Sequence, residues 1–172
     1  MSKGIRFGEG LNIVPIEGPA DCAADCESEW VELENAHWVT FMVITGNMGT
    51  SDTVNVYVHS TTSATSGTTN ANDYAIPFKY RLSSAVGFNA LGTITAVTTA
   101  TGYVQLSDDD DNKILLIDVD PSDVASHDSD AQYVYLTFDV TDASATDGAT
   151  IVGAVAFVED RYPQNTMEST TA

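Results

Sequence analysis

Cys22 and Cys26 stand in Asp21-Cys-Ala-Ala-Asp-Cys-Glu27, a C-x3-C spacing with no second Cys or His pair nearby. A structural zinc site needs about four ligands, and His37 offers at most a third. A disulfide between the two is geometrically open in a loop, but it closes a small ring and adds little stability. Flanking acids disfavour the thiolate and blunt its reactivity. Free thiols are therefore the first reading, a local disulfide the second and metal the third.

The four consecutive acids Asp108, Asp109, Asp110 and Asp111 repel one another, and a cation would relieve that repulsion. Calcium takes about six to eight oxygens from carboxylates and carbonyls. The run lacks the alternating spacing and later Glu of an EF-hand loop. A solvated hairpin turn is the plain expectation here, and weak calcium or another divalent cation the sharper one. No other cofactor is implied.

Covalent and hydrolytic chemistry finds no support. There is no G-x-S-x-G elbow. His127-Asp128-Ser129-Asp130 has the residue types of a triad, but consecutive loop residues cannot aim at one reacting atom. His37, His59 and His127 are far apart and form no H-E-x-x-H pattern. Glycoside hydrolysis needs two facing carboxylates, one with a raised pKa, and only Asp118 sits inside an apolar run. The chain is expected to have no catalytic residues and to be no enzyme.

Aromatic residues are the remaining candidates. Trp30, Trp38, Tyr57, Tyr133 and Tyr135 suit a sugar-binding platform, a subunit interface or ordinary sandwich packing. Trp38, Met42 and Ile44 form a second apolar face on their strand, which should meet another sheet, a loop or another subunit. Trp38, Met42, Tyr133 and Tyr135 are the expected subunit-interface residues.

The elements that would position these side chains are strands. Apolar and polar residues alternate with period two in Thr53–His59, Ala75–Leu82 and Gln132–Val140, the pattern of half-buried strands. It turns Val54, Val56 and Val58 inward in the first. Ile76, Phe78, Tyr80 and Leu82 turn inward in the second, with Lys79 and Arg81 outward. Val134, Leu136, Phe138 and Val140 turn inward in the third. The runs His37–Ile44, Lys113–Val119 and Thr150–Val158 are apolar on both faces, as expected of central strands or strands with a covered outer face. Weaker strands are expected at Leu11–Ile16, Glu29–Leu33, Gly92–Val97 and Tyr103–Leu106. The total is about eight to ten strands, an antiparallel two-sheet sandwich or jelly roll. One short helical turn is expected where Asp120 offers an N-cap and Pro121 the first helical position. Residues 1–20 read as an extended N-terminal arm, 21–162 as one β-sandwich domain and 163–172 as a flexible tail.

Charge narrows the partners. Six Lys plus Arg stand against 25 Asp plus Glu, a formal net of −19 over 172 residues. Phosphate binding needs a basic patch, so nucleic acid is not an expected partner, and neither is an anionic membrane. No run of about 18 apolar residues offers a membrane span. The start, Met1-Ser2-Lys3-Gly4-Ile5-Arg6, has no apolar stretch for a secretion signal, which points to synthesis in a cytoplasm. Twelve acids and one base, Lys113, fall between Gln105 and Asp147, whereas the first eight residues carry Lys3 and Arg6 and no acid. A cationic arm thus precedes a very acidic body.

The order of several segments resembles a known class. Leu11-Asn-Ile-Val-Pro15 comes first, then Trp30-Val-Glu-Leu-Glu-Asn-Ala-His37 leading into Val39–Ile44 and Gly46. Ala75-Ile-Pro-Phe-Lys-Tyr-Arg81 follows, then Ile114-Leu-Leu-Ile-Asp-Val-Asp120, Tyr133-Val-Tyr-Leu136, and Ile151–Val158 with Arg161-Tyr162. From about residue 11 to 162, this order resembles small head structural proteins of tailed bacteriophages, of the capsid decoration or auxiliary type. The Cys22/Cys26 pair and the acidity depart from that pattern. The resemblance implies a β-sandwich without catalytic residues on the outer head surface of a virion. Its partner would be the major capsid protein, and it would itself be a homo-oligomer, expected as a trimer. Lys3, Arg6, Leu11, Ile13 and Val14 are the expected capsid-binding residues, adding a strand to a neighbour's sheet edge. The rival readings are a carbohydrate-binding or adhesion module of a fibre or cell surface, and a tail or baseplate component.

Overall fold

The period-two segments pair into two antiparallel sheets in a computed structural model that describes residues 11–22, 26–64, 74–84, 90–98, 102–141 and 150–161. The first sheet runs β1 (Asn12–Asp21), β12 (Ile151–Asp160), β4 (Ala36–Thr45), β10 (Ile114–Val119), β7 (Phe78–Leu82), β8 (Thr95–Val97). The second runs β2 (Cys26–Glu27), β11 (Tyr133–Thr141), β5 (Thr53–Thr61), β6 (Tyr74–Ala75). In it β3 (Val31–Glu32) also pairs with β11 and β9 (Val104–Ser107) with β5. The fold is an all-β sandwich with one short helix, α1 (Pro121–His127).

The core lies between the sheets. Phe41, Leu115, Ile117, Val54, Val56, Val58, Leu136 and Phe138 have no exposed surface. The three runs apolar on both sides are β4, β10 and β12, adjacent at the centre of the first sheet. Each gives one set of side chains to the core and leaves a second set outside.

Some connections differ from the simplest reading of the pattern. Ala75–Leu82 is not one strand. Ile76 N–H donates to Val58 O at 2.9 Å as the last bond to the second sheet. Pro77 has no N–H to continue that ladder, and Phe78 starts β7 in the first sheet. Ser28 likewise divides β2 from β3, its hydroxyl oxygen accepting Leu136 N–H at 2.9 Å in place of a carbonyl. Ser107–Asn112 does not turn a hairpin; it carries the chain from β9 in one sheet to β10 in the other. A 3-10 turn, Asp108–Asp110, makes the crossing. Asn112 closes it in the left-handed region at φ 54°, which Asn tolerates better than most residues.

Cys22 and Cys26 form a disulfide with their Cα atoms 5.7 Å apart, which overturns the free-thiol reading. The physical reason is local. Cys22 is buried in the core and its N–H donates to Thr150 O at 2.9 Å, so one end of the loop is pinned. β2 then pairs Cys26 with Phe138 and pins the other end within bonding reach.

Residues 12–20 of the expected arm form β1, an edge strand with two register shifts, at Pro15/Glu17 and Glu17/Ala20. Lys3, Arg6 and the 163–172 tail lie outside the described residues. No helix among the described residues is long and apolar enough to cross a membrane.

Candidate functional site

The outer face of the first sheet is built by register. One row runs Pro15, Val155, Met42, Leu116, Arg81 across β1, β12, β4, β10 and β7. The row beside it runs Ile13, Phe157, Thr40, Asp118, Lys79, and on the other side Gly153, Ile44 and Ile114 align. Ile13, Ile44 and Ile114 are 44%, 45% and 38% exposed. The result is a broad aliphatic surface interrupted near one edge by the Thr40 hydroxyl donating to Asp118 Oδ1 at 2.8 Å. Arg81 and Lys79 border it. Of the expected capsid-binding residues, Ile13 lies on this face, Val14 packs against the core from the inner side and Leu11 precedes the strand half-buried.

A cleft of about 290 Å³ opens at one corner, where α1 meets β7 and β8. Trp38, Lys79, Asp118, Asp120, Asp123 and His127 are among its walls. Asp120 caps α1 as its residue type predicts, its Oδ1 accepting Ser122 N–H at 2.8 Å and Ser122 O–H at 2.7 Å. The Ser122 hydroxyl bond, aided by the Ser122 N–H and the charges of His37 and Lys79, outweighs partial burial and lowers the Asp120 pKa below 3.8. His127 Nδ1 is engaged within the helix, 3.0 Å from Asp123 O.

The outer face of the second sheet carries a different pattern. Five rings follow one another from the residue before β3, across β11 and β5, to the residue before β9: Trp30, Tyr135, His59, Tyr57 and Tyr103. Their successive centroid spacings are 6.3, 5.5, 5.9 and 5.2 Å. The row is closed at one end and open at the other. Trp30 lies over Tyr135, which keeps 1% of its surface; Tyr103 is 44% exposed. At the open end Asn55 accepts from Gln105 at 3.1 Å and faces Asp139 at 3.5 Å. Burial there, with the charge of Asp139 and then Tyr103, raises the Tyr57 pKa above 10.

The four residues expected at a subunit interface divide between the two outer faces. Trp38 and Met42 are on the outer side of the first sheet, Tyr133 and Tyr135 on the outer side of the second. A strand's even and odd positions face opposite ways, but two strands of different sheets turn their outer sides to opposite ends of the sandwich. The four thus do not share one face, and Tyr135 is buried within its own chain. Of the aromatic candidates, Trp30, Tyr57 and Tyr135 come together; Trp38 stands alone at the cleft. Sequence reasoning missed His59 and Tyr103 in the row. Only strand register places His59 across from Tyr135 and brings Tyr103 beside Tyr57.

The aspartate run does not converge on a cation. Asp108 Oδ2 accepts Ser51 N–H at 3.1 Å, Asp111 Oδ1 accepts Met48 N–H at 2.7 Å and Asp110 pairs with Lys113 Nζ at 2.8 Å. Asp108 and Asp111 thus cap backbone donors of the 46–51 loop, and all three carboxylates anchor the crossing. Among the described residues no group of three or more His, Cys, Asp or Glu side chains can hold a metal ion.

Compared with known proteins, the chain matches no family model, no curated protein and no solved structure.

Proposed function

We propose that the protein is a non-enzymatic structural component of a virion, attached to the outside of a phage head as a decoration protein. The observation that carries this reading is the aliphatic outer face of the first sheet. A chain of net charge −19 keeps a surface there on which Ile13, Pro15, Met42, Ile44, Ile114, Leu116, Val155 and Phe157 align. A contiguous apolar patch marks a surface that meets another protein. Its partner is the capsid shell, and the charge distribution supports that choice. Among the described residues Asp108 to Asp111 lie on the crossing, Asp123 on α1 and Glu27, Glu32 and Asp139 on the second sheet, away from the patch, whereas Asp118 stands at its border. Arg81 and Lys79 border the patch.

Attachment uses the β1 edge as well. Among the described residues β1 pairs only with β12, so Asn12 to Val14 offer an open edge, while Pro15 and Pro19 restrict pairing further along. Lys3 and Arg6 precede this strand in the sequence. A trimer at a symmetry point of the shell would multiply weak contacts.

The test is occupancy on purified shells by imaging. Ile44→Asp and deletion of residues 1–10 are each expected to strip the protein from the head while leaving the fold intact by circular dichroism. Full occupancy of both variants, or density on the tail alone, refutes the reading.

A further inference from the structure

We propose that the cleft beside Trp38 is a binding site for one pyranose unit of a glycan, uncharged or amino-bearing. This inference goes beyond the capsid reading and rests chiefly on Trp38, Asp120, Asp123 and His127, which the attachment face does not use. A sugar presents an apolar C–H face and a rim of hydroxyls that both donate and accept. The cleft has a counterpart for each.

The apolar counterpart is Trp38, half-buried at the start of β4 and part of the cleft wall. Aromatic walls with a few placed polar groups are the usual make-up of small-ligand sites. Trp38 has no ring partner and its indole N–H no acceptor among the described residues, unlike Trp30, whose ring meets that of Tyr135 at a tilt of 56°. The hydroxyl counterparts are acceptors and donors in one place. Asp118 and Asp120 are each held by one oxygen, through Thr40 and Ser122, and turn a second oxygen to other partners. Their orientation is fixed before any ligand arrives, which lowers the ordering cost of binding. The Asp123 carboxylate and Lys79 Nζ make no hydrogen bond or ion-pair contact among the described residues. With Nδ1 of His127 committed to the helix, its Nε2 remains for the cleft.

Other ligand classes fit less well. Three carboxylates against one lysine oppose a phosphate or an acidic sugar. A bare metal ion is opposed by the absence, among the described residues, of any group of three or more ligating side chains that can hold one. The cleft volume of about 290 Å³ suits a single ring rather than an extended chain.

The experiment follows Trp38 emission in a Trp30→Phe background during titration with glucose, glucosamine and glucuronate, with saturation-transfer NMR on the unaltered protein as a second measurement. A saturable emission change and saturation transfer with glucose or glucosamine are expected. Asp123→Ala and Lys79→Ala, both at exposed positions, should each weaken the binding about tenfold, the effect of losing one hydrogen bond to a charged group. The occupancy of Asp123→Ala on shells should be unchanged, which separates this site from the attachment face. No saturable response by either measurement at tens of millimolar sugar overturns the proposal. So does binding that is indifferent to both substitutions, or tighter binding of glucuronate than of glucose.

Discussion

The two outer faces of the sandwich solve the same problem in opposite ways. On the second sheet the outward side chains are mostly consumed by the chain itself. Trp30 covers Tyr135, and His59, Tyr57 and Tyr103 extend the row. The device that makes this possible is the Ser28 break, because the hydroxyl bond to Leu136 draws the 28–30 link onto β11 and brings Trp30 over the sheet. The first sheet has no such link over its outer face among the described residues, and its aliphatic rows stay on the surface. Apolar area removed from water contributes about 25 cal/mol per Å² wherever it is buried. One face has collected that contribution in folding; the other, among the described residues, keeps Ile13, Ile44 and Ile114 partly exposed.

The largest expected effect tests whether the second face is structural. Tyr135→Ala should lower stability by about 3 kcal/mol, the range for a buried aromatic truncated to Ala, read from a denaturant midpoint. A change under about 0.5 kcal/mol, the level of an ordinary surface substitution, would show that the ring row is decoration rather than packing. On the first face, Ile44→Ser should change stability by no more than about 0.5 kcal/mol, although it removes an aliphatic side chain of the same order of size. A large loss there would mean that the aliphatic face is already covered, and the contrast between the faces would fail.

The smallest effect concerns two carboxyls near the ends of the first sheet, which should titrate in opposite directions. Asp120 has a folded pKa below its ordinary 3.8, chiefly through the Ser122 hydroxyl. Its stabilising contribution is therefore present above that value and lost as pH falls through the folded pKa. Glu17 is the reverse: burial, then the charge of Glu29, raises its pKa above 4.5. Its contribution is present below 4.5 and is lost as pH rises through the folded pKa. Carboxyl NMR titration should show Asp120 shifting back toward 3.8 in Ser122→Ala. No movement would place the cause of the shift elsewhere.

Much of this was legible in the residues. Alternation identified β5 and β11 and the direction of their core side chains, because a pleated strand fixes which side each residue faces. Continuous apolar runs identified β4, β10 and β12 as strands with two apolar sides. The Asp120-Pro121 pair located α1, since a cap and a proline act within one turn of themselves. The candidate regions were only half legible. Trp38, Met42 and Ile44 stood out as an apolar outer set, but their neighbours from β1, β10 and β12 did not, and the cleft was not foreseen at all. Its walls come from β4, β7, β8, β10 and α1, which touch only after folding.

The sequence by itself thus determined that this chain is an acidic β-protein with a periodic core and no recognisable catalytic motif. These are properties of single segments and of composition, and each is written within a few neighbouring residues. Only the tertiary structure decided that Cys22 and Cys26 bond to each other, that Asp108 and Asp111 cap a distant loop, and that Trp38 and Tyr135 look away from each other across the sandwich. Those outcomes depend on which strands become neighbours and in what register, and that is set by the packing of the whole core rather than by any segment of it.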